Sequence, residues 1–262
     1  MGKPRLFLYG RNLMEFVIGA IFLRTRPGTE EAYAAAKSTP TRGSGDGVTV
    51  TLMDDYLEFQ PPQAPTDADS DRALVGVIII PGAFVSPFAY SILARSLAQR
   101  GYPSFILRLP FDLAFYGWAT SGNIIRRTRK EDQPAAPDKW LLVGHSLGTL
   151  GVELFTEARP ECVDGVVYMA GGCRSTGKLA KLDLPALMIR GSRDPFTPEE
   201  DRQKSLKKLP VGLETCVVEG GNHRGFASYN RQPLDWKATI TPEEQRRLVL
   251  EALIGFIERR LE

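Results

Sequence analysis

Short apolar runs alternate along the chain with segments whose apolar residues recur at helical spacing, and turn residues separate the two. Residues 74–80 (LVGVIII) form a continuous, mostly β-branched run, which is typical of a central strand buried on both faces. Residues 87–100 instead repeat their apolar positions at the spacing of a helix, and Gly101 follows as its C-cap. This alternation predicts a largely parallel sheet with helices on both faces.

The same criteria predict the other elements. Residues 48–52 and 56–59 are expected to pair as a hairpin at the sheet edge, and residues 60–72, rich in Pro, Asp and Ala, form an exposed loop. The other predicted strands are 104–109, 139–143, 165–169, 185–190 and 213–218, and the other predicted helices are 147–158, 198–209 and 242–260. No repeat or clear linker divides residues 48–262, so we expect them to form one domain.

Residues 1–47 are expected to form a helical extension that packs on or near this domain. Within them, residues 13–23 (LMEFVIGAIFL) are apolar but contain Glu15 and are too few to span a membrane. Basic residues precede the segment, as in a signal peptide, but no small-x-small cleavage site clearly follows it. We predict a helix that covers part of the core, and peripheral membrane contact through residues 13–23 is the alternative.

The composition is that of a soluble globular protein, with 43% hydrophobic and 24% charged residues. A net charge of +2 creates no strong field for nucleic acid, so no nucleic-acid partner is expected. One local basic run contains Arg126, Arg127, Arg129 and Lys130. We interpret it as a solvated helix face, with phosphate recognition as the alternative.

The cysteine content favours a reducing compartment, and we predict a cytoplasmic protein. The three cysteines are an odd number without metal-ligand spacing, although Cys162 and Cys173 could pair if the chain were exported. The sequence has no Walker-type loop, dinucleotide fingerprint or metal-ligand cluster, so no cofactor and no metal are implied.

The segment GHSLG at residues 144–148 matches the pattern G-x-S-x-G. The pattern alone is weak, but here it follows an apolar strand and opens a helix, which would place Ser146 on a sharp turn with its hydroxyl exposed. The amide of Leu147 would then lie at a helix N-terminus, where unpaired donors can stabilise an oxyanion.

A serine hydroxyl needs a positioned base near neutral pH, and histidine is the residue type best suited to that role. The chain has two histidines. His145 is adjacent to Ser146 and should project away from its hydroxyl. His223 lies on a glycine-rich loop just after the last predicted strand, so it is the candidate base; otherwise it would be an ordinary surface-loop histidine.

A carboxylate should orient the imidazole, and Asp194 is the candidate because it directly follows the predicted strand 185–190. Active sites of open α/β sheets lie at the carboxyl ends of strands. Asp183 and Asp164 are weaker candidates, since the first precedes its strand and the second lies at the beginning of one. The alternative for Asp194 is a turn or N-cap residue.

The loop PGAF after the first central strand is expected to supply a second oxyanion donor. We assign the donor amide to Ala83, with Phe84 as the nearest alternative, and a plain turn would be the non-functional interpretation. Several aromatic residues near the active face are candidates for substrate contact, although each could belong to the core. They are Phe84, Phe111, Phe115, Phe196 and Phe226.

Six ordered motifs, PGAF, YSILARSLAQRGYP, RLPFDLAFYG, GHSLG, GSRDPF and GGNHRGF, resemble the α/β-hydrolase superfamily, within a small branch of esterase-like serine hydrolases. The resemblance implies an eight-stranded, mostly parallel sheet in a catalytic domain over residues 48–262, and a triad of Ser146, Asp194 and His223. The sequence departs from the pattern of this family at two places. Pro81 stands where many relatives have His, and residues 170–184 are too few for a large lid, which favours a compact, open pocket over an interfacially activated lipase.

The resulting hypothesis is hydrolysis of a small-molecule carboxylic ester through an acyl-serine intermediate. Two alternatives stay open: a thioesterase or acyltransferase that uses the same triad, and a non-catalytic hydrolase-fold protein that binds a ligand. The sequence does not identify the substrate or the oligomeric state.

Overall fold

An eight-stranded sheet forms the centre of the protein. The computed structural model describes residues 25–37, 46–62, 73–128, 136–172, 177–196 and 198–262. The strands are β1 (Thr49–Leu52), β2 (Tyr56–Gln60), β3 (Val75–Ile80), β4 (Ser104–Leu107), β5 (Lys139–His145), β6 (Gly165–Met169), β7 (Ala186–Gly191) and β8 (Glu214–Val218). Their spatial order is β1-β2-β4-β3-β5-β6-β7-β8.

The sheet is mostly parallel and open. Strand β1 pairs antiparallel with β2, and β2 pairs antiparallel with β4, whereas all the other neighbouring strands are parallel. The predicted edge hairpin and the mostly parallel eight-stranded sheet are therefore confirmed.

The central strand β3 is buried over its whole length, because both faces of the sheet carry a hydrophobic core. Val77 and Ile79 point into one core cluster, and Ile78 and Ile80 point into the other. This alternation is the period of two expected for a strand. It explains why the strand has no polar position in its sequence.

Helices cover both faces. They are α1 (Glu30–Ala35), α2 (Ser91–Gln99), α3 (Ala114–Gly117), α4 (Thr120–Arg127), α5 (Gly148–Ala158), α6 (Glu199–Leu206) and α7 (Pro242–Arg260). Leu97 of α2 and Phe256 of α7 belong to the first core cluster, whereas Ile124 of α4 and Phe155 of α5 belong to the second. In the described part of the chain, no helix is both long and apolar enough to cross a membrane.

Two segments differ from the sequence-based expectation. The predicted helix 87–100 is a 3-10 turn, Pro87–Tyr90, followed by α2. The short helix α3 was not predicted, because its four residues are too few to show a helical period, and α4 was anticipated only as the helix face that carries Arg126 and Arg127. Arg126 and Arg127 lie exposed on α4, and Arg127 pairs with Asp55.

The described part of the N-terminal extension packs on the domain. The side chain of Thr29 caps α1 by accepting a hydrogen bond from the amide of Ala32. Ahead of α1, the backbone forms two isolated β-bridges, a parallel one between Arg26 and Val85 and an antiparallel one between Gly28 and Tyr229. Residues 13–23, Cys173, Arg129 and Lys130 lie outside the described residues, so membrane contact, thiol pairing and the full basic run stay predictions.

Candidate active site

Ser146 lies on a sharp turn between β5 and α5, which we call the serine turn (residues 144–148). Its φ of 52° is in the left-handed region, which is rare for a residue other than glycine. The amide of Ser146 donates to the carbonyl of Met169 at 2.9 Å, and the hydroxyl of Thr149 donates to the carbonyl of Ser146 at 2.7 Å. These two bonds fix a strained backbone, as G-x-S-x-G turns require.

The two glycines of the motif are needed for close approach. A Cβ on Gly144 would lie 2.6 Å from the backbone nitrogen of Thr149. A Cβ on Gly148 would overlap the carbonyl oxygen of Ile80 and lie 2.8 Å from that of Pro81. The serine turn therefore sits directly against the end of β3 and the loop that follows it.

His223 and Asp194 are in direct contact. Nδ1 of His223 lies 2.9 Å from Oδ2 of Asp194, and both side chains are at least nine-tenths buried. The other carboxylate oxygen, Oδ1, accepts the amide of Phe196 at 2.9 Å. Because both carboxylate oxygens are bonded, the carboxylate is held in one orientation against the imidazole.

The other two aspartates considered from the sequence lie elsewhere. Asp164 accepts the amide of Trp140 at 2.8 Å, at the beginning of β5 and so at the opposite end of the sheet. Asp183 is exposed, just ahead of β7. Neither hydrogen bonds to His223 in the structure.

The loops that carry Asp194 and His223 are tied to each other. We call them the β7 loop (residues 192–196) and the histidine loop (residues 220–226). The amide of Arg193 donates to the carbonyl of Gly221 at 2.8 Å, and the amide of Gly220 donates to the hydroxyl of Ser192 at 2.8 Å. Gly191 permits this approach, since a Cβ there would overlap the carbonyl of Gly221.

The side chains of Gln245, which is buried, and Asp235, which is partly buried, hold the backbone of the histidine loop around His223. Gln245 of α7 accepts the amide of Asn222 at 3.1 Å and donates to its carbonyl at 2.8 Å. Asp235 accepts the amides of His223 and Arg224 at 3.2 and 2.8 Å. Burial raises the pKa of Asp235 above its usual value, and the two amides oppose that rise. The imidazole thus projects from a fixed backbone.

The loop after β3 (residues 81–86, the β3 loop) lies against the serine turn. A Cβ on Gly82 would lie 3.3 Å from the Cβ of Ser146. The amide of Phe84 donates to the carbonyl of Asp112 at 2.9 Å, so that amide already has an acceptor, and Ala83 stays the predicted donor. Among the hydrogen bonds of the described residues, none engages the amide of Ala83 or that of Leu147. These two donors remain available to a ligand.

The N-terminal extension braces the β3 loop. Arg26 donates its amide to the carbonyl of Phe84 at 2.7 Å and accepts the amide of Ser86 at 3.0 Å. Its guanidinium donates to the carbonyl of Ala83 at 3.1 Å. Thr25 also hydrogen bonds to Asp112. One of these bonds, from the guanidinium, holds the peptide group that follows Ala83, and two others hold the next residues of the loop.

The second histidine, His145, is adjacent to Ser146 in the chain. It is fully buried, and its ring lies 5.0 Å from that of His223 and 6.0 Å from that of Phe226, centroid to centroid. Burial, followed by the charge of His223, holds the pKa of His145 well below its usual value of 6.5. His145 is therefore a neutral side chain between the serine turn and the histidine loop.

The five aromatic candidates fall into different environments. The rings of Phe196 and His223 contact each other at a steep angle with centroids 4.6 Å apart, and Phe84 is partly exposed. Phe111 is 79% exposed, and both it and Phe115 contact Tyr116. Phe226 is buried against His145 in the first core cluster. Their roles toward a substrate stay predictions.

Sequence reasoning missed the residues that support the site: Arg26, Asp235 and Gln245, and also Tyr90 and Asn222, whose side chains accept the amides of Gly82 and Gly225. Only one of them left a signal in the sequence. Gln245 falls on the buried stripe of α7 with Val249 and Phe256, and a polar residue at such a position needs a partner. The other four act through contacts that no spacing specifies.

The open sheet and the loops at its carboxyl edge define an α/β hydrolase. The sequence profile described as "Alpha/beta hydrolase family" matches residues 76–247, which include all four loops described above. The chain belongs to the alpha/beta hydrolase family, and this family supports a hydrolase activity. Among curated proteins, none matches the sequence.

Solved structures share this fold at low sequence identity. One is an alpha/beta hydrolase enzyme from a sediment metagenome of the Mar Chica lagoon, Morocco, with a TM-score of 0.57, 15% identity, and coverage of 81% of this chain and 99% of that one. A protein from Thermoplasma acidophilum named as a "predicted CIB-like hydrolase" has a TM-score of 0.54, 17% identity, and coverage of 79% of this chain and 98% of that one. A monoacylglycerol lipase from Paleococcus ferrophilus has a TM-score of 0.52, 18% identity, and coverage of 77% and 98%. At these identities the likeness shows the fold alone.

Proposed function

We propose that the protein is a serine hydrolase that cleaves carboxylic esters, with Ser146 as nucleophile, His223 as general base and Asp194 as the carboxylate that orients the imidazole. The observation that carries the proposal is the buried contact of 2.9 Å between His223 Nδ1 and Asp194 Oδ2, beside a strained serine turn. A carboxylate on Nδ1 favours the tautomer with its proton there. Nε2 is then the nitrogen that can accept a proton.

In the proposed reaction, Nε2 of His223 removes the Ser146 proton while Oγ attacks the ester carbonyl. The tetrahedral oxyanion accepts hydrogen bonds from the amides of Ala83 and Leu147, two donors without an acceptor in the described residues. Collapse of this intermediate expels the alcohol, which takes the proton from His223 and leaves an acyl-serine. Water, deprotonated by His223, then attacks the acyl group, and His223 returns this proton to Oγ of Ser146 as the carboxylic acid is released.

The surroundings favour a substrate with an apolar acyl or aromatic group. Phe196 contacts the candidate base, and Phe84 flanks the proposed donor Ala83. The solved structures include a protein named as a monoacylglycerol lipase, which acts as an example of ester chemistry on this fold. We therefore propose small-molecule esters, with thioesters as the chemically closest alternative.

The test is steady-state hydrolysis of p-nitrophenyl esters of increasing acyl length by the wild type and by Ser146→Ala. We expect turnover by the wild type, and a loss in Ser146→Ala of several powers of ten, about a million-fold in a well-studied analogous triad. Assays with added alcohols or thiols distinguish hydrolysis from acyl transfer by their products. Undiminished turnover in Ser146→Ala, or ligand binding without turnover in the wild type, would contradict the proposal.

A further inference from the structure

A buried tyrosine and a buried histidine connect two loops of the site. The amide of Gly82, in the β3 loop, donates to the hydroxyl of Tyr90 at 2.8 Å. That hydroxyl lies 2.8 Å from Nδ1 of His145, in the serine turn. Nε2 of His145 lies 3.3 Å from the carbonyl oxygen of His223, in the histidine loop. Four groups thus form one chain of contacts under the site.

The directions of these bonds can be assigned from chemistry. The oxygen of Tyr90 accepts from Gly82, so its single hydrogen is free to point at Nδ1 of His145. Nδ1 must then be unprotonated, and the proton of the neutral ring is on Nε2, where it can be donated to the carbonyl of His223. Burial raises the pKa of Tyr90 and lowers that of His145, so both groups hold the protonation state that the chain needs.

The two ends of the chain matter for the reaction. Gly82 precedes Ala83, so the Gly82 bond helps to set the direction of the neighbouring Ala83 amide. The carbonyl of His223 belongs to the same residue as the candidate base, so a bond to it fixes the backbone from which the imidazole projects. The contacts from Arg26 and from Asp235, by contrast, hold one of these two loops each.

We propose that Tyr90 and His145 are positioning residues that couple the β3 loop to the histidine loop. The coupling runs from the Gly82 N–H through the Tyr90 hydroxyl and the His145 ring to the His223 carbonyl. The inference rests on the proposed function. Neither residue touches the reacting atoms; each acts through the residue at its end of the chain. A misplacement of about 1 Å can cost about a hundred-fold in rate, so the coupling has room for a large kinetic effect.

The test compares Tyr90→Phe with Tyr229→Phe. Both tyrosines are fully buried in the same core cluster, but the Tyr229 hydroxyl bonds to Gln232 at 3.2 Å and does not join the chain. With a p-nitrophenyl ester we expect kcat of Tyr90→Phe to fall about 10- to 100-fold with KM nearly unchanged, because the loss concerns the transition state. Tyr229→Phe should keep the kcat of the wild type.

A double mutant separates coupling from independent effects. If Tyr90 and His145 act in one chain, Tyr90→Phe combined with His145→Gln should lower kcat no further than the more severe single change. Losses that multiply would overturn the coupling, and so would equal kcat values in Tyr90→Phe and Tyr229→Phe. If the wild type hydrolyses no ester, the proposed function fails and the inference fails with it. If the wild type is active, the comparison of Tyr90→Phe with Tyr229→Phe tests the coupling and leaves the proposed function untouched.

A spectroscopic measurement tests the chain without any substrate. The protein has only two histidines, so a two-dimensional imidazole ¹H–¹⁵N spectrum contains two ring systems. We expect His145 as the neutral ring with its proton on Nε2, and we expect its Nδ1 signal to shift in Tyr90→Phe but not in Tyr229→Phe. A proton on Nδ1 of His145 in the wild type would overturn the assigned chain, even if His145→Gln failed to fold.

Discussion

At the scale of single residues, the contact between Asp194 and His223 is the most specific feature of the site. One carboxylate oxygen meets the imidazole and the other meets the amide of Phe196, so the group is bonded on both sides. In the proposed mechanism this carboxylate orients the ring and stabilises its cation after proton transfer. An amide in its place would have the same shape, but its NH₂ group could present a donor to Nδ1 and favour the wrong tautomer.

Asp194→Asn should therefore lower kcat by about four powers of ten, as in a comparable triad, with little loss of stability. The measurement is ester turnover, with thermal unfolding as the check on folding. Asp183→Asn is the matched control, because Asp183 is an exposed aspartate on the same chain and does not hydrogen bond to His223. Similar losses in the two variants would contradict the assignment of Asp194.

At the scale of elements, the serine turn shows how packing and chemistry are connected. Strand β5 ends against the end of β3, and α5 starts two residues after Ser146. The helix can approach the Ile80 carbonyl only because Gly148 has no side chain. The same approach places Leu147 at the helix N-terminus and brings Gly82 against Ser146. Close packing of the start of α5 against the end of β3 is therefore a condition for the proposed oxyanion site.

We expect Gly148→Ala to destabilise the protein by about 1–3 kcal/mol, the usual cost of overpacking, and to lower kcat by displacing the serine turn. Urea unfolding and ester turnover measure the two effects. Gly255→Ala in α7 is the control, because a Cβ there meets only the end of the flexible Arg259 side chain. Replacing a glycine inside a helix with alanine should stabilise the folded state by about 1 kcal/mol. Equal free energies of unfolding for the two variants would contradict the prediction, because they would show that residue 148 tolerates a side chain against β3.

At the scale of the whole molecule, the loops of the proposed site all follow the carboxyl ends of parallel strands. Those strands are β3, β5, β7 and β8, and active sites of open α/β sheets gather at that edge. The edge is braced from outside the sheet by the N-terminal extension at Arg26 and by α7 at Gln245. The site is thus held by elements that lie far apart along the chain.

The sequence predicted the elements whose pattern is local. The buried run of β3, the turn residues after each strand, and the positions of Asp194 and His223 just after predicted strands are each legible in a short window, so the strands and the two members of the Asp194–His223 pair were found. The chain from Tyr90 through His145 to the histidine loop was not found, because it depends on three-dimensional distances between polar groups that no periodicity encodes. The helix α3 was missed because four residues are too few to show a period, and α4 was anticipated only from its basic residues.

The assignment of the nucleophile can be examined by mass spectrometry after reaction with a fluorophosphonate. Such reagents modify a serine only where a neighbouring base and oxyanion donors activate it, so modification reports all three parts of the proposed site together. We expect one phosphonyl group per chain, carried by the peptide that contains Ser146, and much slower modification in His223→Ala. Modification of another residue at the same rate in Ser146→Ala, or an unreacted Ser146 in folded wild-type protein, would contradict the proposed triad.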